Sequence, residues 1–249
     1  MSALRIEHEA GVLRVTMARP ERRNAFDAAL IDELTLAFTD VGDARAVVLS
    51  GDGPSFSAGA DVEWMRSSVD LSYDENVADA LRLRAMLDAI DSCPAPVVGR
   101  VQGHALGGGC GLVACCDIAI AEPPAQFAFS EVKLGIVPAV ISPFALAKIG
   151  TGAARRYFVT GERFSATEAL RIGLIHEVAD DLDGAVEREV GELLSAGPSA
   201  ARTARELARA PQSAEETARR IAAHRTSPEG QEGLRAFLEK RAPRWRPNS

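Results

Sequence analysis

Hydrophobic and polar residues follow two different periods near the start of the chain, and their alternation predicts its secondary structure. LRIEH and GVLRVTMA have the two-residue period of strands and are separated by the turn-like EAG, which predicts an opening β-hairpin. The next stretch, DAALIDELTLAFTDV, places apolar side chains at helical spacing, those of Leu30, Ile31, Leu34 and Phe38. The run AVVLSG that follows predicts a buried strand.

The same alternation continues through the middle of the chain and then stops. ENVADALRLRAMLDAI predicts a helix, PVVGRVQG a strand, the glycine-rich GHALGGGCGLVAC the start of a buried helix, and CDIAIA a further buried strand. From about residue 182 onwards the pattern is helical only. We therefore predict an α/β fold, with a core over residues 1–195 that holds the active site and a helical region over residues 196–249.

The composition argues against several classes of function. The 249 residues include 35 acidic and 28 basic ones, and a formal net charge of −7 disfavours nucleic acid and anionic membranes as general partners. The longest apolar run, residues 105–121, contains Asp117 and several glycines and is too short to span a membrane. Because the first residues lack a basic segment followed by an apolar one, we expect a cytoplasmic protein.

The cysteines and the C-terminal arginines have ordinary structural explanations. The four cysteines lie in apolar contexts, which predicts buried thiols and neither disulfides nor a metal site; they are Cys93, Cys110, Cys115 and Cys116. Arginine-rich helices are typical of solvated faces with neighbouring carboxylates, and RNA binding is the alternative. The alanine and leucine stripes of these helices predict contacts with other subunits.

Two loops are rich in small residues at points where a helix is predicted to begin. SFSAGADVEWM has small residues before Asp61, and GHALGGGCGL has a glycine run after a strand. Backbone N–H groups at a helix start lack an intrahelical acceptor, and two of them that converge on one oxygen form an oxyanion hole. A tight turn with close helix packing is the alternative for either loop alone. Neither G-x-G-x-x-G in its required context nor G-K-[ST] occurs, which argues against a dinucleotide or phosphate-binding loop.

Over nearly its whole length the chain resembles the enoyl-CoA hydratase/isomerase (crotonase) superfamily. The resemblance is carried by seven segments in the family's order: RRNAF, FSAGAD, VQGHALGGGCGL, CDIAIA, FAFSEVKLGIVPA, EALRIGLIHEV and AFLEKR. It implies a spiral of ββα units and a C-terminal helical region that builds trimers, often stacked as hexamers. It also implies an acyl-CoA thioester substrate, no separate cofactor, no metal, and a thioester carbonyl held by the N–H groups of Ala58 and Gly108.

The family pattern also singles out one glutamate and one departure. Hydratases of this family usually carry two glutamates, and here Glu131 of FAFSEVKLG matches the second while Gly111 occupies the position of the first. We predict that Glu131 is the catalytic acid and base, with a pKa raised by apolar neighbours, which we expect to be Phe127, Phe129, Val132 and Leu134. The missing side chain at Gly111 predicts free space for a branched or carboxylated acyl group.

The remaining candidate residues follow from the same resemblance or from their local pattern. The resemblance implies that the segments around Ala25, Gly59, Ala60 and Asp61 bind substrate together with Gly108 and Gly111. It also implies that Phe237 and Lys240 contact the CoA nucleotide, commonly from a neighbouring subunit. The local pattern predicts that Asp61 caps a helix, that Asp117 satisfies buried backbone groups, and that His104 packs near the ligand.

One catalytic carboxylate suits three functions. In hydration, Glu131 takes a proton from water as the water attacks C3 and returns a proton to C2. In isomerisation it moves a proton between C2 and C4, and in a third case the protein is a non-catalytic acyl-CoA-binding scaffold. We favour hydration because AVISPF and other details resemble bacterial methylglutaconyl-CoA hydratases of leucine breakdown, which makes 3-methylglutaconyl-CoA the candidate substrate. The acyl pocket includes the variable stretch 65–79, so the sequence leaves the acyl group open.

Overall fold

The chain divides into two compact units, residues 1–186 and residues 187–249, and the computed structural model describes residues 2–246. The division falls inside one helix, Leu182–Ser195. The sequence predicts a different boundary, after residue 195, between a catalytic core and an oligomerisation region. That functional boundary stays a prediction. Residues 247–249 of that predicted region lie outside the described residues.

The first unit contains a six-stranded sheet that is almost entirely parallel. Its order is β1-β2-β3-β4-β6-β9, and only the β1–β2 pair is antiparallel, which confirms the opening hairpin. The bounds are β1 Leu4–Glu9, β2 Val12–Met17, β3 Ala46–Gly51, β4 Val97–Val101, β6 Ile118–Ala121 and β9 Glu177–Val178. β3, β4 and β6 are mostly buried runs, as expected where helices cover a parallel sheet.

A second, three-stranded sheet brings the predicted functional segments together. It consists of β5 (His104–Leu106), β7 (Gln126–Ala128) and β8 (Phe164–Ser165), in the order β5-β7-β8. The parallel β5–β7 pair places the residue before the glycine run next to the strand that leads to Glu131. Glu131 itself begins a short 3₁₀ helix, Glu131–Leu134. A similar 3₁₀ helix, Pro20–Arg22, follows the hairpin.

Most helices of the first unit lie where the sequence pattern predicts them, and two further ones, Ser142–Thr160 and Ala166–Arg171, were not predicted. The helices are α1 Ala28–Thr39, α2 Val62–Ser68, α3 Tyr73–Asp91, α4 Gly108–Cys115, α5 Ser142–Thr160 and α6 Ala166–Arg171, and α7 (Leu182–Ser195) continues into the second unit. Asp27 caps α1 by accepting from the Leu30 amide at 3.0 Å, and Ser72 with Glu75 forms a capping box on α3. α4 is buried along almost its whole length, as its composition predicts.

The described part of the second unit is helical after residue 186. It contains α8 (Pro198–Arg209), α9 (Ala214–Thr226) and α10 (Pro228–Leu238), with the end of α7. Glu229 ties α10 to the start of α8 by accepting from the amides of Ser199 and Ala200, both at 2.9 Å. In the single chain these helices leave several apolar side chains exposed: Leu207, Ile221, Leu234, Phe237 and Leu238. Among the described residues, no helix combines the length and apolarity that crossing a bilayer requires.

Candidate active site

Two loops meet side by side at the edge of the small sheet. The amide of Ser57 donates to the carbonyl of His104 at 2.9 Å, and the amide of Leu106 donates back to Ser57 at 3.0 Å. On its other side, the first loop pairs with Phe26, whose amide donates to the Gly59 carbonyl at 2.8 Å. The sequence segments SAGAD and GHALGGG are therefore held as neighbours by backbone hydrogen bonds.

Close backbone contact between the loops explains why glycine is required at residue 59. Gly59 has φ +85°, and a Cβ there would lie 2.6 Å from the Leu106 carbonyl oxygen and 3.4 Å from the Gly108 amide nitrogen. A side chain at this position would thus fill the space in front of the start of α4. Glycine keeps that space open.

The amides of Ala60 and Gly108 remain without partners where the two loops meet. The backbone of Phe26 pairs with the residues on either side of Ala60: its amide donates to the Gly59 carbonyl, and its carbonyl accepts from the Asp61 amide at 3.0 Å. The Ala60 amide therefore faces away from Phe26. Gly108 is the first residue of α4, and its amide has no intrahelical acceptor. Within residues 2–246 neither amide donates a hydrogen bond, and both residues line one cavity.

The predicted donor Ala58 is wrong, because its amide is already used. It donates to the carbonyl of Arg23 at 2.9 Å, which holds the loop against the segment after the hairpin. Ala58 is also absent from the residues that line the cavity. The free amide of this loop is that of Ala60, two residues later, and the role of Gly108 as an oxyanion donor stays a prediction.

Glu131 lines the same cavity and comes from the segment that follows β7. One carboxylate oxygen lies 3.4 Å from the position of a Cβ on Gly107, and the other is buried without a hydrogen-bond partner within the described chain. Burial raises the pKa of Glu131 above its ordinary value, and a hydrogen bond from its own amide opposes the shift only partly. A raised pKa makes a carboxyl group a better proton acceptor than an ordinary glutamate, which suits a group that must accept and return a proton.

The cavity has a volume of about 240 Å³ and mostly apolar walls. Its lining consists of Phe26, Ala60, Trp64, Met65, Ser68, Asn76, Asp79, Ala80, Leu83, Gly108, Glu131, Ile136, Val137, Pro138, Val140 and Ile141. The stretch 65–79 contributes as the sequence predicts. Apolar residues of the segment 136–141 share the cavity with Glu131, as do Phe26, Trp64, Met65 and Leu83, whereas Leu134, which we expected beside it, is 64 % exposed.

Gly111 does not open space for an acyl group. A Cβ on Gly111 would lie 2.6 Å from Cγ2 of Ile141 and 3.2 Å from its Cβ, and Leu87 follows at 3.6 Å. Gly111 is buried, and Ile141, from the AVISPF segment, reaches the cavity in its place. The expected substrate contact of Gly111 is therefore wrong: the glycine and the isoleucine fit together, and the isoleucine forms the wall.

Asp61 supports the loop from behind the cavity. Its carboxylate caps α2 by accepting from the Glu63 amide at 2.8 Å, and it accepts from Arg22 at 2.9 Å and Arg19 at 3.5 Å. Burial alone would raise the pKa of Asp61, but the hydrogen bonds from Arg22 and Glu63 outweigh it and hold the pKa below its ordinary value. The predicted helix cap is confirmed, and the side chain positions the Ala60 amide without lining the cavity.

The other predicted site residues have structural positions of their own. Ala25 is buried next to Phe26, and its carbonyl accepts from Arg19 at 3.0 Å, so it lies outside the cavity lining. Phe237 and Lys240 belong to the second unit and are exposed; their contact with a CoA nucleotide stays a prediction.

Asp117, His104 and the four cysteines are the remaining residues that the sequence singled out. Asp117 accepts from the Val97 amide at 2.8 Å, as predicted for a residue that satisfies buried backbone. His104 is half-buried and contributes its carbonyl to the loop pairing. All four cysteines are free and buried, and no group of three metal-binding side chains occurs among residues 2–246.

Sequence reasoning missed two residues that shape the cavity, Phe26 and Ile141, and it included Asp79 only as the last residue of the variable stretch 65–79. A Cβ on Gly108 would overlap the ring of Phe26, so that ring explains why the middle glycine of the run has no side chain. Asp79 and Ile141 come from segments far from the glycine run in sequence. The helical spacing of Asn76, Asp79 and Leu83 could have placed Asp79 on the same helix face as its neighbours in the lining.

The similarity of this chain to known proteins extends over most of its length. The enoyl-CoA hydratase/isomerase family model matches residues 7–248. The crystal structure of an enoyl-CoA hydratase from Shewanella pealeana is 40% identical with a TM-score of 0.92, and the match covers 98% of this chain and 96% of that one. Pseudomonas aeruginosa AtuE is 35% identical with a TM-score of 0.93, and the match covers 98% of this chain and 100% of that one. The enoyl-CoA hydratase AKT6-1 of Alternaria alternata is 33% identical over 205 residues, which are 80% of this chain and 67% of that protein.

These matches agree with the predicted architecture in its main features. An α/β core followed by a helical C-terminal region superposes on crotonase-fold structures with TM-scores of 0.92 and 0.93. The α/β fold class predicted from the alternation of strands and helices is therefore confirmed. The chain belongs to the enoyl-CoA hydratase/isomerase family.

Proposed function

We propose that this protein hydrates the 2,3 double bond of an enoyl-CoA thioester. The carboxylate of Glu131 takes a proton from a water molecule as the water oxygen adds to C3. The negative charge that develops on the thioester oxygen is stabilised by the amides of Ala60 and Gly108. Glu131 then returns a proton to C2, so the carboxylate is regenerated and one water has been added. Coenzyme A is part of the substrate, and no separate cofactor is proposed.

One observation carries this proposal: two backbone amides and one carboxyl oxygen of Glu131, all without a hydrogen-bond partner within residues 2–246, belong to residues that line a single apolar cavity. Buried amides and carboxylates are normally hydrogen-bonded, because an unpaired group costs on the order of 1–3 kcal/mol. The two amides can donate hydrogen bonds to an acceptor oxygen of a ligand. Glu131 can exchange a proton with the same ligand. A thioester enolate with an attacking water meets both requirements. The names of the similar proteins add support for the same class of substrate.

Isomerisation by the same carboxylate is the second candidate, and labelled water distinguishes the two. We expect crotonyl-CoA incubated in ¹⁸O-labelled water to give 3-hydroxybutyryl-CoA with label at C3, detected by mass spectrometry. A 3-enoyl-CoA offered in the same way should be turned over much more slowly. Unlabelled 2-enoyl-CoA from the 3-enoyl substrate, with no labelled product from crotonyl-CoA, would show an isomerase. Binding without turnover of either would show an acyl-CoA-binding scaffold.

Ala60→Pro tests the proposed oxyanion hole. Proline removes the amide hydrogen, and loss of one such donor typically lowers kcat by about 100-fold to 1,000-fold. We expect this drop with crotonyl-CoA in protein that is folded by circular dichroism. We also expect the infrared carbonyl band of a ¹³C-labelled thioester to shift to lower frequency on binding to wild-type protein and not on binding to the variant. A folded variant with unchanged kcat would contradict the assignment.

The finer aspects of the prediction are proposals of the same kind. The resemblance to methylglutaconyl-CoA hydratases points to 3-methylglutaconyl-CoA, whose acyl group ends in a carboxylate, whereas the apolar lining favours a short or branched acyl chain without a charge. We also propose a homotrimer or a hexamer formed by two trimers, because the apolar side chains of α8, α9 and α10 lie exposed in the single chain. A cytoplasmic location remains the expectation for such an assembly.

A further inference from the structure

The cavity contains a second carboxylate that the proposed hydration does not use. Apart from Glu131, Asp79 of α3 is the one acidic residue in the lining that the described chain provides. Asp79 is half-buried and receives no hydrogen bond or ion pair from residues 2–246. Two other acidic residues of the same helix have partners, since Arg84 donates to Asp88 at 2.9 Å and Ser72 donates to Glu75, and Asp74 is exposed outside the lining. A free acidic group in an apolar cavity therefore calls for a role.

The polar neighbours of Asp79 in the lining have their donors engaged elsewhere. The hydroxyl of Ser68 donates to the carbonyl of Met65 at 2.7 Å. The side-chain amide of Asn76 donates to the carbonyls of Leu71 and Ser72 at 3.1 and 3.0 Å, which uses both of its N–H groups. Neither side chain therefore has a free N–H or O–H group to offer to a ligand in the cavity.

The lining offers little to a negatively charged acyl group. It contains no lysine, arginine or histidine among the residues described. The indole N–H of Trp64 is the one side-chain donor of the lining left uncommitted, and it is neutral. An acyl carboxylate that entered this cavity would meet two carboxyl groups and no cation.

We infer that Asp79 is a specificity-determining residue that makes the cavity accept uncharged acyl groups and exclude those that end in a carboxylate. The inference deepens the proposed function, on which it rests. Two like charges a few ångströms apart repel several times more strongly at a partly buried site than in bulk water. Burying the acyl carboxylate without a cation or a hydrogen bond adds a desolvation cost. Hydrocarbon enoyl groups are free of both costs, so the 3-methylglutaconyl group is disfavoured relative to its uncharged analogues.

Crotonyl-CoA and glutaconyl-CoA form a matched pair that tests this inference. The second differs from the first only by a carboxylate on C4. We expect wild-type kcat/KM to favour crotonyl-CoA by about 100-fold or more, and Asp79→Asn to reduce that ratio by about tenfold or more. Asp74→Asn is the control, since it removes the same charge from an exposed position of α3 outside the cavity lining. The control should keep the wild-type ratio.

Binding of saturated thioesters separates this inference from the hydration mechanism. Dissociation constants of butyryl-CoA and glutaryl-CoA, measured by calorimetry, should show the same preference and the same change in Asp79→Asn even if the protein proves not to be a hydratase. Asp79→Ala provides a second variant if the asparagine variant is unstable. Equal wild-type affinities for the two thioesters, or a ratio that Asp79→Asn leaves unchanged, would overturn the inference. So would a loss of crotonyl-CoA hydration above about 100-fold in Asp79→Asn with butyryl-CoA still bound, because that result assigns Asp79 to the chemistry.

Discussion

Glu131→Gln is expected to lower kcat for crotonyl-CoA hydration by about 100-fold or more while acyl-CoA binding is retained, because a positioned general base contributes roughly that factor or more. The substitution keeps the size of the side chain and removes only its ability to exchange a proton. Since Glu131 has a buried oxygen without a partner, the neutral amide should not destabilise the fold. Steady-state kinetics, with butyryl-CoA binding as the control, measures both quantities.

The pH dependence gives a second readout of the same residue. Burial raises the pKa of Glu131 above the ordinary 4.5. A base must be deprotonated to act, so wild-type kcat/KM should fall as the pH drops through this raised pKa, at a higher pH than for an exposed glutamate. The residual rate of Glu131→Gln should lack that acidic limb. Full turnover in a folded Glu131→Gln protein would assign the chemistry to another group.

Gly111→Glu is expected to destabilise the protein by about 3–5 kcal/mol, the cost of leaving a charge buried and unpaired. The first added atom would already lie 2.6 Å from Cγ2 of Ile141, and Leu87 closes the other side. The second glutamate that is usual in hydratases of this family therefore cannot be restored at this position by one substitution. Urea denaturation of the variant and of wild-type protein measures the difference.

A double-mutant cycle identifies Ile141 as the obstacle. Gly111→Ala should cost about 1–3 kcal/mol by overpacking. In the background of Ile141→Ala, which removes the conflicting methyl groups, the same change should cost at least about 1 kcal/mol less, the size of coupling seen between contacting residues. If the two substitutions prove additive, the close fit of Gly111 and Ile141 is not what excludes a side chain here.

Local sequence patterns were enough to predict most of the secondary-structure elements. The strand AVVLSG coincides with β3, and DAALIDELTLAFTDV contains α1 with its cap at Asp27. These patterns are reliable because the period of buried positions is set by the backbone conformation itself. The helix predicted at the C-terminus ends earlier than the pattern suggested, at Leu238, and Lys240 has φ +53°.

The resemblance of the motifs identified the segments that form the site, but it did not identify every atom that lines it. Glu131 and Gly108 lie in one cavity as expected. The SAGAD segment contains three consecutive small residues, and nothing local to it indicates which amide stays free. That choice depends on Arg23 and Phe26, whose carbonyls accept from the amides of Ala58 and Asp61 and leave that of Ala60 unused.

By itself, then, the sequence determined the α/β alternation, the family, and the candidate carboxylate, because each depends on short-range spacing or on whole motifs. The tertiary structure decided three things that depend on partners distant in the chain: the free amide is that of Ala60, Ile141 fills the place beside Gly111, and Asp79 joins Glu131 in the cavity lining. The physical reason is that a hydrogen bond or a van der Waals contact is satisfied by whichever group the fold brings within reach, and only the folded chain shows which group that is.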